Sequence, residues 1–243
     1  MLHKTILCYM KRLLITIDGP AGAGKTTVSR MLADRLGYKY IDTGALYRGV
    51  ALQAISAGLK PDDDAGLEKL CSTLKMTFVP GKQGLRLLSN DADITDSIRT
   101  PEITMVASAV SARAVVRRYL LDVQREMGRE KAVVFEGRDM GTVVFPDADV
   151  KFYLDASLKT RALRRYKELA AGAFQMLDEV ESSMKQRDEN DSTRDLAPLK
   201  PAKDAIIIDS TDLPVKAVVE RMLAYIEPCK RTHFPSASGP GRD

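Results

Sequence analysis

An apolar run, Leu13, Leu14, Ile15, Thr16 and Ile17, leads directly into a glycine-rich turn and then into a helix-like stretch over 27–36. The turn is Gly19, Pro20, Ala21, Gly22, Ala23, Gly24, Lys25 and Thr26, which fits G-x-x-x-x-G-K-[ST]. A buried strand, a tight glycine turn and a helix form the context in which this pattern builds a phosphate cradle. The glycines let successive backbone N–H groups turn toward one anion, and the positive end of the helix dipole adds to their field. Lys25 is placed to reach the β- and γ-phosphates of a nucleotide, the Thr26 hydroxyl to sit on Mg²⁺, and Thr27 to continue the cradle into the helix. A glycine-rich surface loop would share the letters but not the flanking strand and helix.

With 243 residues, the chain is long enough for one α/β core with an elaboration. Its apolar share of 44% and charged share of 29% are those of an ordinary globular protein. A net charge of +4 and an aromatic share of 6%, with no basic-aromatic surface, argue against a nucleic-acid-binding module. Three widely spaced cysteines, Cys8, Cys71 and Cys229, form neither a disulfide framework nor a zinc pattern, which fits a cytoplasmic protein. The two histidines, His3 and His233, lie in the terminal segments, away from every chemical motif. No apolar run approaches the ~20 residues of a membrane span, and the start lacks the features of a signal peptide. Met10 is a second candidate start, so residues 1–9 and 229–243 are expected to be flexible ends.

Strands are expected over 13–17, 38–41, 132–135, 150–154 and 205–208. Helices are expected over 27–36, 45–57, 101–130, 158–171, 176–190 and 215–226. Strands separated by helices imply an α/β fold with a five-stranded, doubly wound parallel sheet, its site at the carboxyl ends of the strands. This core spans 10–59 and 100–228. Residues 60–99 break the rhythm: runs at 75–79 and 85–89 read as antiparallel strands joined by a glycine-containing turn, a small inserted domain. A helical lid is expected over about 158–195, with a pliant point at Ala170, Ala171, Gly172 and Ala173.

Phosphoryl transfer demands two substrates held in line and neutralisation of the charge between them. After the second strand comes Asp42, Thr43, Gly44, Ala45, Leu46, Tyr47 and Arg48. Asp42 or Thr43 can cap the next helix, while Arg48 opposes that helix dipole and makes more sense beside an anionic ligand. The third strand ends in Glu136, Gly137, Arg138, Asp139, Met140 and Gly141, an acid–cation cluster at the crevice. Ser108, Arg113 and Arg117 recur near helical spacing, with Arg113 and Arg117 on one face; a solvated stripe would look the same. Arg161, Arg164 and Arg165 repel one another unless an anion joins them, and Arg187, Asp191 and Arg194 repeat the theme at i, i+4 and i+7. A surface ladder of ion pairs would share that spacing. Asp18, at the end of the first strand, is placed to help orient Mg²⁺ through water, and Glu136 carries no assigned role at this point.

These stretches, together with residues 137–148, 151–157 and 187–199, closely resemble the bacterial cytidylate kinases, nucleoside monophosphate kinases of the P-loop class, over nearly the whole chain. The resemblance implies transfer of a phosphoryl group from Mg-ATP to CMP or dCMP, giving ADP and CDP. It implies that Thr43, Arg48, Arg138 and Arg194 hold the acceptor phosphate. Ser108, Arg117 and Asp139 then read the cytosine, and Arg187 and Asp191 the sugar. Lys25, Arg138, Arg161, Arg164 and Arg165 become the cations of the transfer, the last three in the lid. Thr43 departs from the serine common in relatives, but keeps the hydroxyl.

Cytosine offers an N4 donor beside N3 and O2 acceptors, so a carboxylate with arginine and serine donors suits it. Uracil presents O4 instead of N4, so Asp139 would face acceptor with acceptor, a mismatch worth ~1–3 kcal/mol. A monomer is expected. The alternatives are a P-loop kinase for another acceptor such as UMP, and a nucleotide-gated switch, which would require the guanine-reading Asn-Lys-x-Asp that this chain lacks.

Overall fold

The computed structural model describes residues 11–82, 84–169 and 176–230. His3, Cys8, Met10, His233, residues 1–9 and 231–243 and the Ala170–Ala173 pliant point therefore lie outside the described residues, while Cys229 and Lys230, expected in a flexible end, are helical.

Five parallel strands form the central sheet: β1 (Leu14–Asp18), β2 (Lys39–Asp42), β6 (Val133–Glu136), β7 (Val150–Asp155) and β8 (Ile206–Asp209). Their order is β2-β6-β1-β7-β8. The chain leaves β1 for β2, returns to place β6 between them, then crosses to β7 on the other side of β1. Such a reversal opens a crevice at the carboxyl edge. Alternate residues of β1 serve opposite faces: Ile15 and Ile17 join a core with α1 (Lys25–Leu36) and α8 (Val215–Lys230), while Leu14 packs with Ile41, Val133 and Phe135. Each strand runs one residue further than its apolar stretch and so ends on an acid: Asp18, Asp42, Glu136, Asp155 and Asp209. Parallel register then sets Ile17 beside Glu136 and Asp42 beside Glu136, concentrating carboxylates at the crevice.

The second sheet is antiparallel: β3 (Met76–Gly81), β4 (Gly84–Ser89) and the short β5 (Ala92–Asp93). A helix, α3 (Asp64–Thr73), precedes it and was not among the expected helices. Its N-cap is Asp63, which accepts from the Gly66 N–H at 2.9 Å. Met76 and Leu87 from this sheet share one core with Leu46 and Val50 of α2 (Thr43–Ser56) and with α3.

The helix expected over 101–130 is two helices, α4 (Pro101–Val110) and α5 (Ala114–Gly128). Ala112 N and Arg113 N close back onto the carbonyls of Ala109 and Val110, and Arg113 then turns extended at φ −84°, ψ 129°. Two side chains make contacts at this elbow. Arg113 clamps Asp64 through both arms, and Arg117 donates to the Ser111 carbonyl at 3.1 Å. Arg113 therefore points to α3 and does not share a ligand-facing row with Arg117. The remaining helices are α6 (Leu158–Leu169) and α7 (Leu177–Thr193).

Candidate active site

Between β1 and α1 the backbone makes a turn that only glycine can complete. Gly19 sits at φ 146°, and a Cβ there would lie 2.0 Å from the Leu154 carbonyl oxygen. Gly24, at φ 87°, is the N-cap of α1 and offers no side-chain cap, leaving the first-turn N–H groups to a ligand. Lys25 is 4% exposed, and its Nζ donates to the Pro20 carbonyl at 2.6 Å. Burial, reinforced by Arg138 and Arg187, lowers its ammonium to about 7, with Glu136 and Asp18 pulling the other way.

Thr26 Oγ1 donates to Glu136 Oε1 at 2.8 Å, and Tyr40 OH donates to Glu136 Oε2 at 2.6 Å. Burial first, and then the neighbouring Asp42, raise the Glu136 carboxyl above its ordinary range. A hydroxyl and a carboxylate from the cradle and the neighbouring strand are oxygen donors of the kind Mg²⁺ takes beside a nucleotide phosphate. Asp18 is occupied differently from the expectation. Its oxygens accept the Met140 and Gly141 N–H groups, each at 2.8 Å, and so hold the single π-helical turn Met140–Val144 against β1. Burial raises its carboxyl to about 6.

The other end of the cleft carries a set of arginines that face acids. Asp42 caps α2 by accepting from the Ala45 N–H at 3.2 Å, and also takes Arg48 Nη2 at 2.8 Å. Thr43 Oγ1 donates to the Glu136 carbonyl at 2.7 Å. Arg138 Nε bonds Asp191 Oδ2 at 3.0 Å. Asp139, 2% exposed, takes a hydrogen bond from Arg117 on one oxygen and faces Arg194 at 3.8 Å on the other. Burial raises the Asp139 carboxyl, and Arg117 and Arg194 pull against that rise. The Arg117 guanidinium also lies 5.8 Å from the centre of the Tyr47 ring. Arg187 has a buried Nε with no hydrogen-bond partner, and burial together with Arg138 lowers its guanidinium to about 10.

The three arginines expected in a lid separate. Arg161, 6% exposed, donates to the Ala156 carbonyl at 2.8 Å and the Ala21 carbonyl at 3.1 Å and pairs with Asp188 at 2.7 Å, so it braces the cradle from behind. Arg164 donates to the Ser210 carbonyl at 2.6 Å, and Arg165 pairs with Glu168 at 3.2 Å in the open.

A continuous cleft of about 1060 Å³ joins both sides. It is lined by Gly22, Gly24, Lys25, Thr26 and Thr27 at one end, and by Thr43, Arg48, Ser108, Arg117, Arg138, Asp139, Arg187, Asp191 and Arg194 at the other. Arg164 and Arg165 line it too; Gly19, Pro20 and Arg161 do not. Three contributions were given no role by the sequence reading. Glu136 and the loop residues Leu213, Pro214 and Val215 all face the cleft, and Tyr40 supports Glu136 from beside it. A strand-end acid beside the cradle strand was the available signal for Glu136. The loop after β8 carried none beyond its place at the carboxyl edge.

A glycine cradle, a buried lysine and an arginine-lined acceptor end on a parallel sheet define a P-loop phosphotransferase. The cytidylate kinase family model matches residues 15–228. A cytidylate kinase of Geobacter sulfurreducens is 53% identical over 220 residues, spanning 90% of this chain and 94% of that one. One from Syntrophotalea carbinolica is 46% identical over 230 residues, spanning 94% and 98%. The chain belongs to the cytidylate kinase family. Among solved structures, an uncharacterized protein from Eubacterium ventriosum shares the fold at a TM-score of 0.50 and 14% identity, over 90% of this chain and 99% of that one.

Proposed function

We propose that this enzyme transfers the γ-phosphoryl group of ATP to CMP, giving ADP and CDP, with dCMP as a second acceptor. Family membership supports the reaction class. The observation that carries the residue assignment is the single cleft in which the cradle and the buried Asp139–Arg117 pair face one another.

In this reading the cradle amides and Lys25 take the β- and γ-phosphates, and Lys25 exchanges its Pro20 carbonyl for them. Arg164 and the apolar wall of Leu213, Pro214 and Val215 flank the adenine. Thr26 and Glu136 hold Mg²⁺, which when bound neutralises charge on the phosphates. Thr43, Arg48, Arg138 and Arg194 receive the acceptor phosphate. Asp139 accepts from cytosine N4 while Arg117 and Ser108 donate to its acceptors, and Arg187 and Asp191 take the sugar. Arg187, with its unpaired Nε beside Arg138, also adds charge next to the transferring group. No protein base is needed, because a phosphate monoester supplies its own nucleophilic oxygen. Arg161 acts on the ATP end through the cradle backbone.

One chain lines both ends of the cleft, which supports a monomer, and the dependence on ATP supports a cytoplasmic setting. ADP release measured with CMP, dCMP, UMP and AMP as acceptors tests the reading: CMP is expected to lead UMP by at least about fivefold, in line with a mismatch of ~1–3 kcal/mol. Equal use of CMP and UMP would overturn the assignment of Asp139.

A further inference from the structure

Glu136 has a second hydroxyl on it that no cradle motif supplies. Tyr40 lies on β2 two residues before Asp42, and the register sets Asp42 directly opposite Glu136. Tyr40 and Glu136 are thus diagonal neighbours on one face of the β2–β6 pair, a spacing that a tyrosine can bridge. Its OH reaches Glu136 Oε2 at 2.6 Å while Thr26 holds Oε1 at 2.8 Å, so each carboxylate oxygen has one protein donor. Asp42, the other acid at this spot, is turned away to the Ala45 N–H and Arg48. The Tyr40 ring is itself fixed on its far side, where the Arg30 guanidinium stands 5.4 Å from its centre.

We infer that Tyr40 is a positioning residue for the cation-binding carboxylate: its hydroxyl anchors the outer oxygen of Glu136 so that the inner oxygen stays aimed at Thr26. The inference rests on the reading of Thr26 and Glu136 as the Mg²⁺ site. Without the anchor, Glu136 is free to rotate away from Thr26, toward the nearby positive charge of Lys25 that already acts on it. Partners that orient a ligating carboxylate are typically worth ~10–100-fold in metal affinity. Tyr40→Phe removes only the hydroxyl and keeps the ring against Arg30.

The test is calorimetric ADP binding with and without Mg²⁺, backed by Mn²⁺ binding to the ADP complex read by electron paramagnetic resonance. In Tyr40→Phe, metal-free ADP affinity should stay at the wild-type value, and the enhancement by Mg²⁺ should fall by about tenfold. Glu136→Gln should lose at least as much of that enhancement. If Glu136→Gln loses it and Tyr40→Phe keeps it, the role of Tyr40 is wrong and the metal site stands. If Glu136→Gln keeps it, the metal site itself is wrong and the inference falls with it. A lower melting temperature in Tyr40→Phe with an unchanged Mg²⁺ effect also counts against the inference, because it reduces Tyr40 to packing.

Discussion

At the cradle end of the cleft, the groups proposed to meet the phosphates are backbone amides, one buried lysine and a hydroxyl. On the acceptor side they are side chains, and Arg48, Arg117, Arg138 and Arg194 each already face an acid. The first arrangement is set by chain geometry: Gly19 and Gly24 hold conformations that L side chains rarely adopt. The second is set by ion pairs, which add little stability when buried but fix where a guanidinium lies before substrate arrives. A cradle built of backbone suits a triphosphate that many enzymes share. A wall of paired side chains can be chosen residue by residue, so specificity belongs there.

Breaking the cradle should have the largest effect. Lys25→Ala removes a preorganised cation whose contacts strengthen on the transferring group, and steady-state kinetics should show turnover down by about 10²–10³-fold. Breaking the base-reading wall should be milder and selective. Asp139→Asn lets an amide donate to uracil O4, so the ratio of kcat/KM for CMP over UMP should shrink by about fivefold or more. If that ratio holds, another group reads the base.

A smaller effect concerns protons. The free Lys25 ammonium is lowered to about 7, chiefly by burial, so at pH 8 most of it is neutral. A bound polyanion favours the charged form and raises that value, so ATP binding at pH 8 should take up close to one proton, and at pH 6 almost none. Calorimetry in buffers of different ionisation heat reads this directly. The smallest effect sharpens the comparison from outside. Arg113 shares a sequence spacing with Arg117 but pairs with exposed Asp64, so Arg113→Ala should leave CMP kinetics essentially unchanged.

The cradle was legible because its information is local: an apolar strand, glycines at fixed offsets and a helix follow one another without interruption. The arginines at the acceptor end were legible as residue types in short motifs, and the sheet lines them up along one cleft. What escaped notice depends on distant partners. Tyr40 meets Glu136 across 96 residues of sequence, and only the pairing of β2 with β6 makes them neighbours. The elbow at Ser111–Arg113 falls where nothing in local propensity stops a helix; it is closed by Ala112 and Arg113 N–H groups on the Ala109 and Val110 carbonyls, and Arg113 then reaches Asp64 from 49 residues away. Arg161 looked like a partner of Arg164 and Arg165, yet burial turned it to the carbonyls of Ala21 and Ala156. Asp18 likewise had the right place for a metal helper, but it was claimed by two backbone amides from the π-helical turn.

A crystal structure of the enzyme with CMP and ADP bound bears most directly on this division of labour. The account predicts cytosine N4 on Asp139, its ring acceptors on Arg117 and Ser108, and the CMP phosphate between Arg48 and Arg138, turned toward Lys25. A pyrimidine bound away from Asp139, or a CMP phosphate facing away from the cradle, would contradict it.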